Sequence, residues 1–153
     1  IKVEGSALVG HRAVLLAGTA DPRFIEQLRP ILATVEQTTR GLVAGDYEIY
    51  PRLYGLDGVA LWTQTPGVQA AREVFVLIEI IARTPDLAMA AAKTFKQFFL
   101  HQGFSGRQCT GGNIAFPFTP PELVGGPAYR FAAYHVMPAD DHEQLFPVSL
   151  EQI

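Results

Sequence analysis

The sequence predicts an α+β fold, a ferredoxin-like sandwich with an antiparallel sheet, two main helices on one face and extra strands appended. Two observations carry this. Two stretches with 3.6-residue apolar spacing are each flanked by runs of strand-like sequence, in the order strand–helix–strand–strand–helix–strand. Glycine and proline also punctuate the joins where turns are needed. At 153 residues, one domain with a sizeable core is expected, and 48% hydrophobic with 18% charged residues is a globular composition.

Residues 3–20, VEGSALVGHRAVLLAGTA, read as one strand or a hairpin bent near Gly10. The helix of residues 21–45 follows: Asp21 is placed to cap it, Pro22 suits the first turn, and Phe24, Leu28, Ile31 and Val35 share a face. Pro30 inside this run predicts a kink, because it removes the hydrogen bond back to Glu26. Extended runs follow at 47–55 and 58–63, joined by a short Gly-Leu-Asp-Gly turn, and residues 64–72 read as loop. The second half repeats the order. Residues 72–82 form a strand, and 84–103 a helix with Thr84 as cap, Gly103 as stop and a stripe of Leu87, Ala91, Phe95 and Phe98. Short extended pieces are expected at 113–118, 128–137 and, as a last edge strand, 145–153. The proline-bracketed stretch between Pro117 and Pro127 predicts a stiff irregular loop anchored by Phe116 and Phe118.

Strand parity has a functional consequence. In the strand after Arg72, Val74, Val76, Ile78 and Ile80 take one face, and Phe75, Leu77, Glu79 and Ile81 the other. A sheet with helices on one side only should show polar residues on its free face. Here that face is nearly apolar, so it is expected to meet another domain or subunit. Tyr50, Arg52 and Tyr54 share a side of the preceding strand, and Arg130 and Tyr134 share one near the C-terminus. Tyrosine and arginine on an open face suit a protein–protein contact. The interface candidates are therefore Tyr50, Arg52, Tyr54, Phe75, Leu77 and Tyr134. The partners expected are an N-terminal region of the same chain and a homo-oligomer, since a start at Ile1 reads as a fragment of a longer protein.

Charge and motif content exclude several classes. A net charge of −3 and twelve scattered basic residues offer no stripe that could track a nucleic acid. No apolar run reaches membrane-span length, and the single Cys109 rules out an intrachain disulfide, so a reducing cytoplasm is the expected location. Nucleotide-binding glycine loops, the nucleophile elbow and histidine or cysteine pairs at zinc spacing are all missing, so neither a cofactor nor a metal is expected. The 140-DDHE-143 cluster reads as a solvated loop. Candidate chemistry is confined to 107-RQCTGGN-113. Cys109 could act as a nucleophile if a cation such as Arg107 and a base such as His101 or His135 lay near. Thr110, Gly111, Gly112 and Asn113 could offer backbone N–H groups to an anion, with Arg107 and Arg130 as further ligand-binding candidates. The structural alternatives are a turn for the glycines, a small buried apolar cysteine, and a hydrogen-bonded core histidine at 135.

The segments KVEGSALVGHR, AGTADPRFIEQL, TGGNIAFPFTPPE and GPAYRFAAYH resemble the C-terminal part of the acyclic terpene utilisation (AtuA) family, from Ile1 to about Phe146. The most specific pieces are GGNIAFPFTP and GPAYRFAAYH. The resemblance implies a bacterial cytoplasmic protein of branched terpenoid catabolism, of the citronellol and geraniol type, through acyl-CoA intermediates. It also implies an α/β region N-terminal to this domain. Thr110 to Asn113, Pro117, Tyr129, Arg130, Tyr134 and His135 match as motif positions, and no catalytic role is carried over. VLLAGTADP at 14–22 departs from the more polar form of that turn in the family. Three functions follow as expectations: a domain completing an active site or interface with the N-terminal region, an autonomous enzyme built on the Cys109 loop, or a purely structural oligomerisation module.

Overall fold

Alternating apolar residues produce four strands and two capped amphipathic segments produce two helices in the computed structural model, which describes residues 1–59, 71–111, 113–139 and 145–151. The elements are β1 (Lys2–Thr19), α1 (Pro22–Leu42), β2 (Tyr47–Tyr54), β3 (Val74–Ala82), α2 (Pro85–His101) and β4 (Glu122–Val136). The sheet order is β2-β3-β1-β4, and β3 pairs antiparallel with both β1 and β2. This is the ferredoxin-like α+β sandwich. Among the described residues no helix is long and apolar enough to cross a membrane.

The chain divides into two compact units, Val9–Ala128 and Ile1–Leu8 with Tyr129–Ile153. In the first, Ala13, Leu15 and Ala17 of β1 and Val76, Ile78 and Ile80 of β3 are buried with Phe24, Leu28 and Val35 of α1 and Phe95 and Phe99 of α2. Both helices therefore cover the same sheet face. Phe24 meets Phe99 and Phe104 with centroids 5.8 and 5.1 Å apart. In the second unit, the Ile1 amino group donates to the Met137 carbonyl at 2.6 Å and the Met137 N–H donates back to Ile1 at 2.8 Å. The side chains of Val3, Leu8, Tyr129, Phe131, Tyr134 and Val136 are exposed in it.

Local chemistry sets the helix ends. The Asp21 carboxylate accepts from the N–H groups of Arg23 (2.9 Å) and Phe24 (3.4 Å), and Pro22 occupies the first turn, where its missing donor is not needed. Asp21→Ala is expected to destabilise the chain by about 1 kcal/mol. Urea unfolding checks this, and an unchanged midpoint would show that the cap contributes nothing. Thr84 caps α2 in the same way, accepting from the Leu87 N–H at 3.3 Å. Pro30 lies inside α1, which continues to Leu42 because Phe24 and Leu28 before it and Ile31, Leu32 and Val35 after it are all buried. Tertiary burial offsets a proline cost of about 3 kcal/mol.

Several expectations change. Of the two readings of residues 3–20, one strand or a hairpin, the first holds: β1 runs unbroken from Lys2 to Thr19, and Gly10, at φ 154°, lies inside it. The last strand begins at Glu122, six residues before the expected start. The 113–118 stretch contributes one bridge, Gly18 with Ala115, and no strand. No strand is found in residues 145–151. Phe116 packs on the core, but Phe118 is exposed, so only one of the two anchors the loop. His135 is exposed and is not a core histidine, because Tyr129–Val136 is exposed along its whole length. In α2 the buried stripe is Ala88, Ala91, Ala92, Phe95 and Phe99, with Leu87 and Phe98 on its flanks. The expected strand at 58–63 falls largely in residues 60–70, and the 140-DDHE-143 cluster in 140–144, both outside the described residues.

Candidate functional site

The loop after α2 is organised by one side chain. Arg107 directs its guanidinium at four backbone carbonyls: His101 at 2.7 Å, Gln102 at 3.0 Å, and those of Cys109 and Thr110. A guanidinium has five donors in a rigid fork, so this arrangement braces the loop and leaves little of Arg107 for a ligand. Cys109 is exposed, with its thiol on the Gly111 carbonyl and 3.7 Å from Asn113 Oδ1. Among the described residues neither a histidine nor a cation hydrogen-bonds to that thiol.

Asn113 is buried, and its carbonyl accepts from the Thr19 hydroxyl at 2.6 Å. Two bonds between Ala115 and Gly18, each 2.7 Å, fasten the stretch to the end of β1. Together these groups make one wall of a cleft of about 420 Å³, lined by Gly18, Thr19, Asp21, Glu73, Phe75 and Asn113 among others. Asp21 and Glu73 give its edge negative charge, and among the described residues no basic one lines it. An anion is disfavoured in that cleft, of whose described lining only Asn113 comes from the Thr110–Asn113 stretch. Thr110 and Gly111 belong to the same loop, and Gly112 lies outside the described residues.

The helix-free face is the second region. Tyr50, Arg52, Tyr54, Phe75 and Leu77 stand together on it, with Tyr54 and Phe75 ring centroids 6.4 Å apart. It is not simply apolar. Glu79, 9% exposed, sits between two guanidiniums: Arg12 Nε binds Oε1, and Arg52 Nη2 binds Oε2 at 3.0 Å. Burial pushes the Glu79 carboxyl up, but the two arginine hydrogen bonds and their charges outweigh it and hold its pKa below the ordinary value. Arg12 can lie flat because Gly125 leaves it room: a Cβ there would come within 2.7 Å of Arg12 Cγ. Sequence inspection missed Arg12, and one signal was available. A lone carboxylate in an apolar strand requires counter-charges from its neighbours.

Compared with known proteins, the chain matches no family model, no curated protein and no solved structure.

Of the remaining candidates, Arg130, Tyr134 and His135 belong to the second unit and are exposed. Lys2 Nζ lies 5.4 Å from the Tyr134 ring centroid, and the Phe131 and Tyr134 rings are 6.5 Å apart. A further pair, invisible to sequence inspection, joins α2 to β4: Lys96 Nζ donates to Glu122 Oε1 at 2.9 Å. Glu122 is buried, and its Oε2 has no hydrogen-bond partner among the described residues. Among those residues no three histidine, cysteine, aspartate or glutamate side chains converge as metal ligands would.

Proposed function

We propose that this chain is the C-terminal domain of an AtuA-like protein of acyclic terpenoid catabolism through acyl-CoA intermediates. Its part there is to complete an active site or subunit interface with an N-terminal region. The supporting observation is the helix-free sheet face, where Tyr50, Tyr54 and Phe75 remain between 37 and 44% exposed around an arginine-bridged glutamate. Large aromatic and arginine side chains left in water on a rigid sheet are the composition of a contact surface. The Cys109 loop gives no comparable support to an autonomous enzyme, because Arg107 is bound to carbonyls and, among the described residues, no histidine hydrogen-bonds to the thiol. The resemblance of GGNIAFPFTP and GPAYRFAAYH supplies the terpenoid assignment.

Two measurements test this. Disrupting the gene in the producing cell is expected to abolish growth on citronellol and geraniol while leaving growth on acetate intact; unaffected terpenoid growth would remove the assignment. Incubated alone with citronellyl-CoA or geranyl-CoA, the chain is expected to consume neither, and turnover would show it to be an enzyme in its own right.

A further inference from the structure

We propose that the helix-free face binds a second copy of this chain, face to face, about a two-fold axis running parallel to β3. The inference deepens the interface reading above and rests on it for taking this face as a contact surface. Its support is the arrangement of charge and shape. Reading across the sheet from β2 through β3 to β1, Glu48 faces Ile81 and then Arg12, Tyr50 faces Glu79 and then Val14, and Tyr54 faces Phe75 and then Gly18. Arg12, Arg52, Glu48 and Glu79 make the face neutral in sum, so a strongly charged partner has no net field to meet. A copy of the face is a different matter.

An axis parallel to β3 lays β2 over the partner's β1 while keeping each row in place, because isologous contacts exchange the two sides of the axis. Glu48 then meets the partner's Arg12, and Arg12 meets the partner's Glu48, two opposite-charge pairs from one operation. Arg12 is free for this. Its Nε serves Glu79 and its Nη1 reaches the Pro127 carbonyl at 3.4 Å, while Nη2 bonds to no described residue. The same operation sets Tyr54, which projects from the face, over the partner's Gly18, which has no side chain. Gly18 and Phe75 border the cleft described above. A tyrosine entering it brings an apolar ring and a hydroxyl donor toward Asp21 and Glu73, chemistry that the cleft's acidic edge accepts and an anionic ligand's does not. Phe75, Leu77 and Ile81 pack along the axis against their own copies, as inner faces of stacked sheets do.

Sedimentation equilibrium of the chain tests this. The expected mass is twice 16.7 kDa. Glu48 is exposed, so Glu48→Arg folds, and it sets two arginines against each other on both sides of the axis. It is expected to raise the dimer dissociation constant about tenfold or more. Tyr54→Ala is expected to weaken the dimer independently, whereas Phe131→Asp, in the second unit, leaves it unchanged. A monomeric parent chain overturns the proposal. So does a dimer that ignores Glu48→Arg and Tyr54→Ala and is lost on Phe131→Asp. The terpenoid growth test separates this from the broader reading: a monomer whose gene supports that growth removes only the dimer, and a dimer whose gene is dispensable removes only the terpenoid assignment.

Discussion

Lys96→Met is expected to cost about 3 kcal/mol of folding stability, because removing one member of a buried ion pair strands the other. Lys96 comes from the fourth turn of α2 and Glu122 opens β4, so the bond at 2.9 Å ties helix to strand across 26 residues of chain. The Glu122 side chain is only 5% exposed, and its Oε2 already lacks a partner among the described residues. Without Lys96 the carboxylate would have no cation beside it and little access to water. Methionine keeps most of the lysine's apolar stem, so the loss reports on the charge rather than on a cavity. Replacing both members, Lys96→Met with Glu122→Leu, is expected to recover most of the stability, since an apolar pair needs no desolvation of charge. Urea unfolding at neutral pH measures both variants against the parent chain. A single variant within about 0.5 kcal/mol of the parent, the usual range of surface substitutions, would show that Glu122 is already solvated.

Glu79→Gln is expected to cost about 2 kcal/mol at neutral pH, in the range for hydrogen bonds to a charged group. The loss should disappear on acidification. Two guanidiniums hold the folded carboxyl below the ordinary glutamate value of 4.5, against the upward push of burial. The unfolded chain therefore takes up its proton first as pH falls. The contribution of the ion pair is complete above pH 4.5 and is lost as pH drops through the lower, folded value. Below that point parent and variant should be equally stable, because a protonated glutamate and a glutamine are close to isosteric. Unfolding midpoints collected from neutral to acid pH decide the matter. A gap that persists unchanged into acid would assign the effect to shape and not to charge. Gly125 belongs to the same device, since a side chain there would lift Arg12 away from Glu79.

The two helices and their caps were legible because their signals are local. Asp21-Pro22 and Thr84-Pro85 place donors and acceptors within three residues of one another, and no distant contact can easily reverse that. Strand parity was legible for a similar reason. The period of two in 74-VFVLIEIIA-82 sorts side chains by face before any pairing is known. Less local features were misjudged. His135 was expected in the core because its neighbours are apolar, yet Phe131 and Tyr134 are themselves exposed, and an apolar neighbour in sequence does not make a buried one in space. Arg107 was read as a cation near Cys109, and the turn of its guanidinium onto the carbonyls of its own loop was not legible. The continuous β1 was uncertain because glycine marks both turns and strand interiors where backbones approach closely, as Gly10 does against the Ala82 carbonyl.

Sequence alone determined the element order, the helix N-termini, the two-faced β3 and the presence of tyrosine and arginine on one side of β2, which follow from periodicities of two and 3.6 residues and from local capping. Only the tertiary structure decided which arginines answer Glu79, that Lys96 answers Glu122, and that Gly18, Asn113 and Glu73 border one cleft. Those pairings join residues between 26 and about 100 positions apart. Register and strand order set such distances, and neither is written in any local stretch of the chain.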